Sequence, residues 1–163
     1  MQEITYKKIH SSFKLNGIHI TRDEMFYVAY CFIKEGRPFE QHIGTFLLDW
    51  KKKKPYIELS TSGTFLLDWF DEKPYIELTT SGSTGVPKVV RIDKQAMLDS
   101  ALATGDFFGL EPGDTMLHCL PTNYVAGKMM WVRSFILGLE MKFVEPNSNP
   151  LDKIDETFDF CAM

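Results

Sequence analysis

Between Tyr75 and Val144 the chain alternates short β-prone runs with longer stretches of helical periodicity, and few folds accommodate that alternation. Tyr75-Ile-Glu-Leu-Thr-Thr80 and Lys88-Val-Val-Arg-Ile92 read as strands flanking a loop rich in glycine and hydroxyls. Asp93 is a good N-cap for a helix through Phe108, with Met97, Ala101 and Phe108 expected on one side. Glu111-Pro-Gly-Asp114 turns into a strand over Thr115 to Leu120. A loop from Pro121, a helix from about Gly127 to Leu137 and a strand from Met141 to Val144 follow. Strands separated by helices of this length predict an α/β fold, with helices packed on a mixed sheet. The ending Phe158-Asp-Phe-Cys-Ala-Met163 is apolar and has no turn or polar tail to close it, which does not fit an intact domain of this size.

The front of the chain carries clear punctuation. Thr21-Arg-Asp-Glu24 has capping-box spacing and predicts a helix from about Arg22 to Glu35, stopped by Gly36 and Arg37-Pro38. Ile43, Phe46, Leu47 and Trp50 line one face of a second helix, and Tyr56 to Thr61 is β-prone. Gly44-Thr-Phe-Leu-Leu-Asp-Trp50 recurs nineteen residues later as Gly63-Thr-Phe-Leu-Leu-Asp-Trp69, and sixteen of twenty positions agree between 44–63 and 63–82. The tandem units are 44–62 and 63–81. Two copies are fewer than a solenoid needs, so the repeat reads as a local duplication. The copies differ mainly at Lys51-Lys-Lys-Lys54 against Phe70-Asp-Glu-Lys73, and four consecutive lysines read as a solvated turn.

Composition narrows the function class. With 44% hydrophobic and 25% charged residues the chain is globular, and a net charge of -4 offers no broad basic field for a nucleic acid or an anionic membrane. The N-terminus lacks the apolar core of a secretory signal and the run Met129 to Leu139 is broken by Arg133, so a cytoplasmic protein without membrane insertion is expected. Cys31, Cys119 and Cys161 show no CxxC spacing, which argues against a disulfide framework or a zinc site and for reduced, partly buried thiols. No residues read as metal ligands.

Chemistry concentrates in Thr80-Ser81-Gly82-Ser83-Thr84-Gly85-Val86-Pro87-Lys88, where four hydroxyls, two glycines and a lysine fall between two strands. Glycines let backbone amides approach phosphate oxygens, hydroxyls donate without adding charge, and lysine supplies a point charge. The segment is not a Walker A loop, because Pro87 and Val89 stand where that motif needs glycine and a magnesium-binding hydroxyl. The first copy, Ser60-Thr-Ser-Gly63-Thr64, runs into Phe65 without a second glycine or a lysine. It can make a turn but not a phosphate cradle.

Thr80 to Lys88 resembles the phosphate-binding signature of the adenylate-forming superfamily, which includes acyl-CoA synthetases, peptide-synthetase adenylation domains and luciferases. Leu120-Pro-Thr-Asn-Tyr-Val-Ala-Gly127 is similar to that family's next motif, which lines the acyl pocket, with Tyr124 where many members carry histidine. Ala126-Gly-Lys-Met-Met-Trp-Val-Arg133 resembles the o-succinylbenzoate–CoA ligases of menaquinone synthesis. The resemblance implies a reaction in which a carboxylate attacks the α-phosphorus of ATP, and coenzyme A then displaces AMP. It implies phosphate contacts from Thr80, Ser81, Gly82, Ser83, Thr84, Gly85 and Lys88, an acyl pocket at Tyr124, Gly127 and Arg133, and ATP, Mg2+ and CoA as the full-length family's cofactors. The family's adenine, ribose and C-terminal lysine motifs are not found in these residues, so the resemblance implies that residues 1–163 are the N-terminal part of the family's large domain, with an incomplete mixed sheet, and that the chain by itself is inactive. The acyl group, whether fatty, aryl or amino acid, stays open. A non-catalytic nucleotide- or polyphosphate-binding module is the alternative, and a truncated or misassembled reading frame a third.

Other residues carry plainer expectations. Arg133 is expected to meet a substrate carboxylate, with a surface arginine as the alternative. Lys128 is expected to be structural and His118 a hydrogen-bonded core histidine, while His10, His19 and His42 form no constellation. Thr104-Gly105-Asp106 copies the family's ribose motif in letters but lies inside a predicted helix, too soon after the phosphate loop to serve that role.

Overall fold

The computed structural model describes residues 5–22, 24, 65, 68–80, 88–122, 124–152 and 154–163. The helices expected over 22–35 and 43–50, the β-prone segment 56–61 and the loop 81–87 lie outside the described residues. The capping box itself is present. Thr21 N–H and Oγ1 donate to Glu24 Oε2 at 3.1 and 2.9 Å, and Glu24 N–H donates back to Thr21 Oγ1 at 3.2 Å.

Among the described residues the strands are β1 (Lys14–Leu15), β2 (Ile18–His19), β3 (Tyr75–Thr80), β4 (Lys88–Asp93), β5 (Thr115–His118), β6 (Glu140–Phe143) and β7 (Phe160–Cys161), and the helices are α1 (Lys94–Phe108) and α2 (Val125–Leu137). A five-stranded mixed sheet has the order β2-β1-β6-β5-β7; β1 runs antiparallel to β2 while β1–β6, β6–β5 and β5–β7 are parallel. The α/β expectation therefore holds. β3 and β4 form a separate antiparallel pair.

The β1–β2 hairpin turns on Asn16-Gly17, both at positive φ, 49° and 79°. Two left-handed central residues make the tight turn that matches strand twist. Asn16 N–H donates to Met141 O at 2.8 Å and Asn16 Oδ1 accepts from Phe143 N–H at 2.7 Å, fixing the hairpin to β6.

Asp93 caps α1 by accepting from Gln95 N–H at 2.7 Å and Ala96 N–H at 3.3 Å, and Gly109 ends it at φ 65°. The buried side of α1 is Lys94, Met97, Leu98, Ala101 and Gly105. Phe108 falls on the side of Met97 and Ala101 but is 59% exposed at the helix end, where it stacks on Phe107 and Phe160 at centroid distances of 4.9 and 5.5 Å. Gly105 takes the buried place, where an added Cβ would come 2.7 Å from Leu137 Cδ2. β5 ends two residues earlier than expected, β6 begins one earlier, and α2 begins two earlier.

α2 is buried on most of its surface because sheet, α1 and the second repeat copy surround it. From that copy Phe65, Trp69, Phe70 and Ile76 are all in the core, with Phe70 5.6 Å from the Phe135 ring. Its turn holds the base of the hairpin: Lys94, fully buried, donates to Asp71 Oδ1 at 2.8 Å, and Glu72 pairs with Lys7 at 2.8 Å. On the sheet's other face a small cluster of Leu117, Cys119 and Val144 meets Ile154, Phe158 and Cys161.

Candidate functional site

The two ends of the glycine- and hydroxyl-rich motif are brought together by strand pairing. In the β3–β4 register Thr80 faces Lys88, so the first and last residues of the motif are direct partners across two antiparallel strands. Directly paired residues have Cβ atoms about 4.5–5.5 Å apart, which keeps any phosphate cradle compact. The hairpin is anchored at its base, where Ile76 is buried and Lys94 N–H donates to Pro74 O at 2.8 Å. Away from the base β4 is open to solvent: Val90 is 44% and Val89 62% exposed, and Lys88 is exposed. Midway, Arg91 donates to Glu77 Oε1 at 2.9 Å and lies 4.6 Å from the Tyr75 ring centroid, so it braces the strands.

The segment 121–127 is built by close approach. Gly127 is buried, and a Cβ there would fall 2.6 Å from Pro121 C and 2.9 Å from Thr122 Cα, so only glycine lets this loop lie against the first turn of α2. Thr122 is then held twice: Trp131 Nε1 donates to its Oγ1 at 3.2 Å and Lys128 Nζ donates to its carbonyl. Lys128 is structural, as expected. Burial pushes its pKa down while Asp68 pushes it up, and burial followed by the nearby Asp71 raises the Asp68 carboxyl. Tyr124, the N-cap residue of α2, is 62% exposed at the loop's outer end.

Arg133 does not converge with Tyr124. It lies about 14 Å further along the helix axis, with its Nε donating to Thr104 Oγ1 at 3.3 Å and its guanidinium 5.8 Å from the Phe160 ring. Burial lowers its pKa, and it makes no ion pair with a carboxylate among the described residues. Thr104 back-bonds to Ser100 O at 2.8 Å and Gly105 packs on Leu137, so the Thr-Gly-Asp letters serve the helix.

His118 corrects a sequence expectation. It is fully buried against Trp131 and Phe143, at ring distances of 5.4 and 5.1 Å, but neither ring nitrogen has a hydrogen-bond partner among the described residues. Burial pushes its pKa down to about 3. Sequence reasoning also missed Asp68, Thr122 and the Asp71–Lys94 pair, whose partners are remote in sequence or carry no motif.

A cavity of about 440 Å³ opens on the sheet face opposite the helices, lined among others by Asn16, Thr115, Glu140, Lys142 and Glu156. Its charges are mutually paired, Glu140 with Lys14 at 2.9 Å and Glu156 with Lys142, and it includes none of the motif residues. No three His, Cys, Asp or Glu side chains gather as metal ligands among the described residues, and no described helix is long and apolar enough to cross a membrane.

The AMP-binding enzyme family profile matches residues 60–162, well over half of the chain. Among solved structures, an acyl-CoA synthetase (AMP-forming)/AMP-acid ligase II-like protein from Dyadobacter fermentans is 36% identical over 68% of this chain and 33% of its own length, with a TM-score of 0.56. The o-succinylbenzoate CoA synthetase of Bacillus subtilis, solved with its acyl-adenylate intermediate, is 17% identical over 82% of this chain and 42% of its own, with a TM-score of 0.43. ATP-bound MatB from Rhodopseudomonas palustris is 23% identical over 44% and 14%, with a TM-score of 0.40. No curated protein gives a significant match. The chain spans about a third of the Dyadobacter protein's length. With the family profile running through both strands of the hairpin and on to β7, the chain belongs to the AMP-binding enzyme family.

Proposed function

We propose that these residues supply the polyphosphate hairpin and one wall of the acyl pocket to a cytoplasmic, ATP-dependent acid–CoA ligase. In its first step a carboxylate oxygen bonds to the α-phosphorus of ATP, and the bond to the β-phosphate bridging oxygen breaks to release pyrophosphate. In the second, the thiol of CoA loses its proton, bonds to the acyl carbon and expels AMP. Both steps gather negative charge, so fixed donors around the phosphates are the device expected to lower the barrier. Ser81, Gly82, Ser83, Thr84 and Gly85 would surround the β- and γ-phosphates, with Thr80 and Lys88 closing the mouth, while Mg2+ would arrive with the nucleotide. The observation that carries this reading is the direct pairing of Thr80 with Lys88 across an exposed hairpin inside the family match.

Within this reading o-succinylbenzoate is the proposed acid, supported by the wording of 126–133 and by Arg133, a half-buried guanidinium available to a second carboxylate. Tyr124 and Gly127 would shape the pocket's near end. The 163-residue chain is proposed to carry out neither step alone. The test is carboxylate-dependent ATP–pyrophosphate exchange by the purified chain: no exchange with o-succinylbenzoate is expected, and measurable exchange contradicts the proposal of an inactive part. The competing proposal, a stand-alone polyphosphate-binding module, is favoured by the hairpin's being anchored within this chain. It expects the same pyrophosphate binding, and is separated from the leading proposal by a longer form that carries the family's adenine, ribose and lysine motifs: no carboxylate-dependent exchange there favours the module.

A further inference from the structure

Cys119 and Cys161 are separated by 42 positions in sequence, and the fold puts them side by side. Cys161 is opposite Leu117 in the β5–β7 ladder, and Cys119 lies two residues beyond Leu117, on the same face. Both join the apolar cluster with Leu117, Val144, Ile154 and Phe158. Their thiols converge on one acceptor, the Ala162 carbonyl, at 3.7 Å from Cys119 Sγ and 3.8 Å from Cys161 Sγ. Cys119 is buried, while Cys161 is partly open to solvent. A reagent therefore meets Cys161 first, with Cys119 waiting behind it as a second thiol.

From this juxtaposition we infer that Cys119 and Cys161 form a reversible dithiol–disulfide pair that fastens strand β7 to β5 when a low-molecular-weight disulfide is supplied as oxidant. The Cys161 thiol loses its proton to solvent and its sulfur attacks the oxidant, giving a mixed disulfide and releasing one small thiolate. Cys119 then loses its proton and attacks Cys161 Sγ, the mixed disulfide breaks, and a second small thiolate leaves. Two electrons pass from the protein thiols to the oxidant, and the released thiolates take up two protons.

Two physical features set how easily this occurs. With parallel strands about 4.8 Å apart and a rise of about 3.3 Å per residue, Cα atoms offset by two residues lie about 8 Å apart, whereas a disulfide holds its Cα atoms within about 4.4–6.8 Å. The backbone must shift by roughly an ångström. β7 is two residues long at the sheet's edge and Cys119 lies just past the end of β5, so both can give. Burial, followed by the neighbouring Cys119, pushes the Cys161 thiol up to about 11, which makes oxidation slow at neutral pH and faster as pH rises.

The test treats the 163-residue protein with oxidised glutathione in mildly alkaline buffer, quenches with acid, alkylates, and maps peptides without reduction. The expected result is a monomer with two of its three cysteine thiols lost, a mass lower by two hydrogens, a Cys119–Cys161 linked peptide, and recovery of both thiols with dithiothreitol. In urea the same treatment should leave glutathione adducts instead, and Cys161→Ser should keep Cys119 from forming any intramolecular bond. Absence of the linked peptide from the folded protein overturns the inference. So does its equal formation in urea, because the fold would then contribute nothing.

Discussion

His118 makes the stability of this domain depend on pH. Its folded pKa of about 3 lies below the 6.5 of an exposed imidazole, so as pH falls below 6.5 the unfolded chain takes up a proton that the folded chain refuses. Stability from this group is complete above pH 6.5 and declines towards pH 3, by about 1.4 kcal/mol per pH unit. Urea titrations across that window should show a shallower fall in stability for His118→Phe than for the wild type; an unchanged slope would contradict the burial of a neutral imidazole. Gly127 makes a second residue-scale prediction. Gly127→Ala drives Cβ into the Pro121–Thr122 backbone and should cost about 1–3 kcal/mol, read as a lowered denaturation midpoint, whereas an unaltered midpoint would mean that the loop approach is not tight.

At the scale of elements, the duplication poses a choice between two nearly identical segments, and three contacts decide it. Phe70 is in the core, Asp71 partners the buried Lys94, and Glu72 pairs with Lys7. The first copy carries Lys51, Lys52 and Lys53 at the matching positions. Removing the partner of a buried cation costs about 3–5 kcal/mol, and a lysine in place of Asp71 adds repulsion. Deleting 44–62 should therefore leave a cooperative thermal transition, and deleting 63–81 should abolish it, although the two products differ at only four positions. Equal transitions would refute the assignment of the second copy to the core. α1 was legible because Asp93 and Gly109 are strong local caps. β1, β2 and β7 were not, since two-residue strands have no period to detect, although Asn16-Gly17 is a hairpin signal that could have revealed the first pair. The phosphate motif could be found from its letters; the partners Thr122, Lys128 and Asp68 meet only through tertiary packing.

For the whole molecule, the mixed sheet, the described helices and the anchored β3–β4 pair form a scaffold that holds Thr80 and Lys88, the two ends of the phosphate motif, as direct partners. Burial is concentrated at the base of the β3–β4 pair, at Ile76, while Lys88, Val89 and Val90 are exposed, which separates the part that must be rigid from the end that would meet the ligand. Function in this account rests on polyphosphate reaching that end, and on Lys88 contributing charge there. Calorimetric titration of the 163-residue chain with ATP and with pyrophosphate, for the wild type and for Lys88→Ala with its circular dichroism shown to be unchanged, tests this most directly. The account predicts saturable binding of both ligands by the wild type and its loss in the variant. No binding by a demonstrably folded wild type, or equal binding by Lys88→Ala, would contradict it.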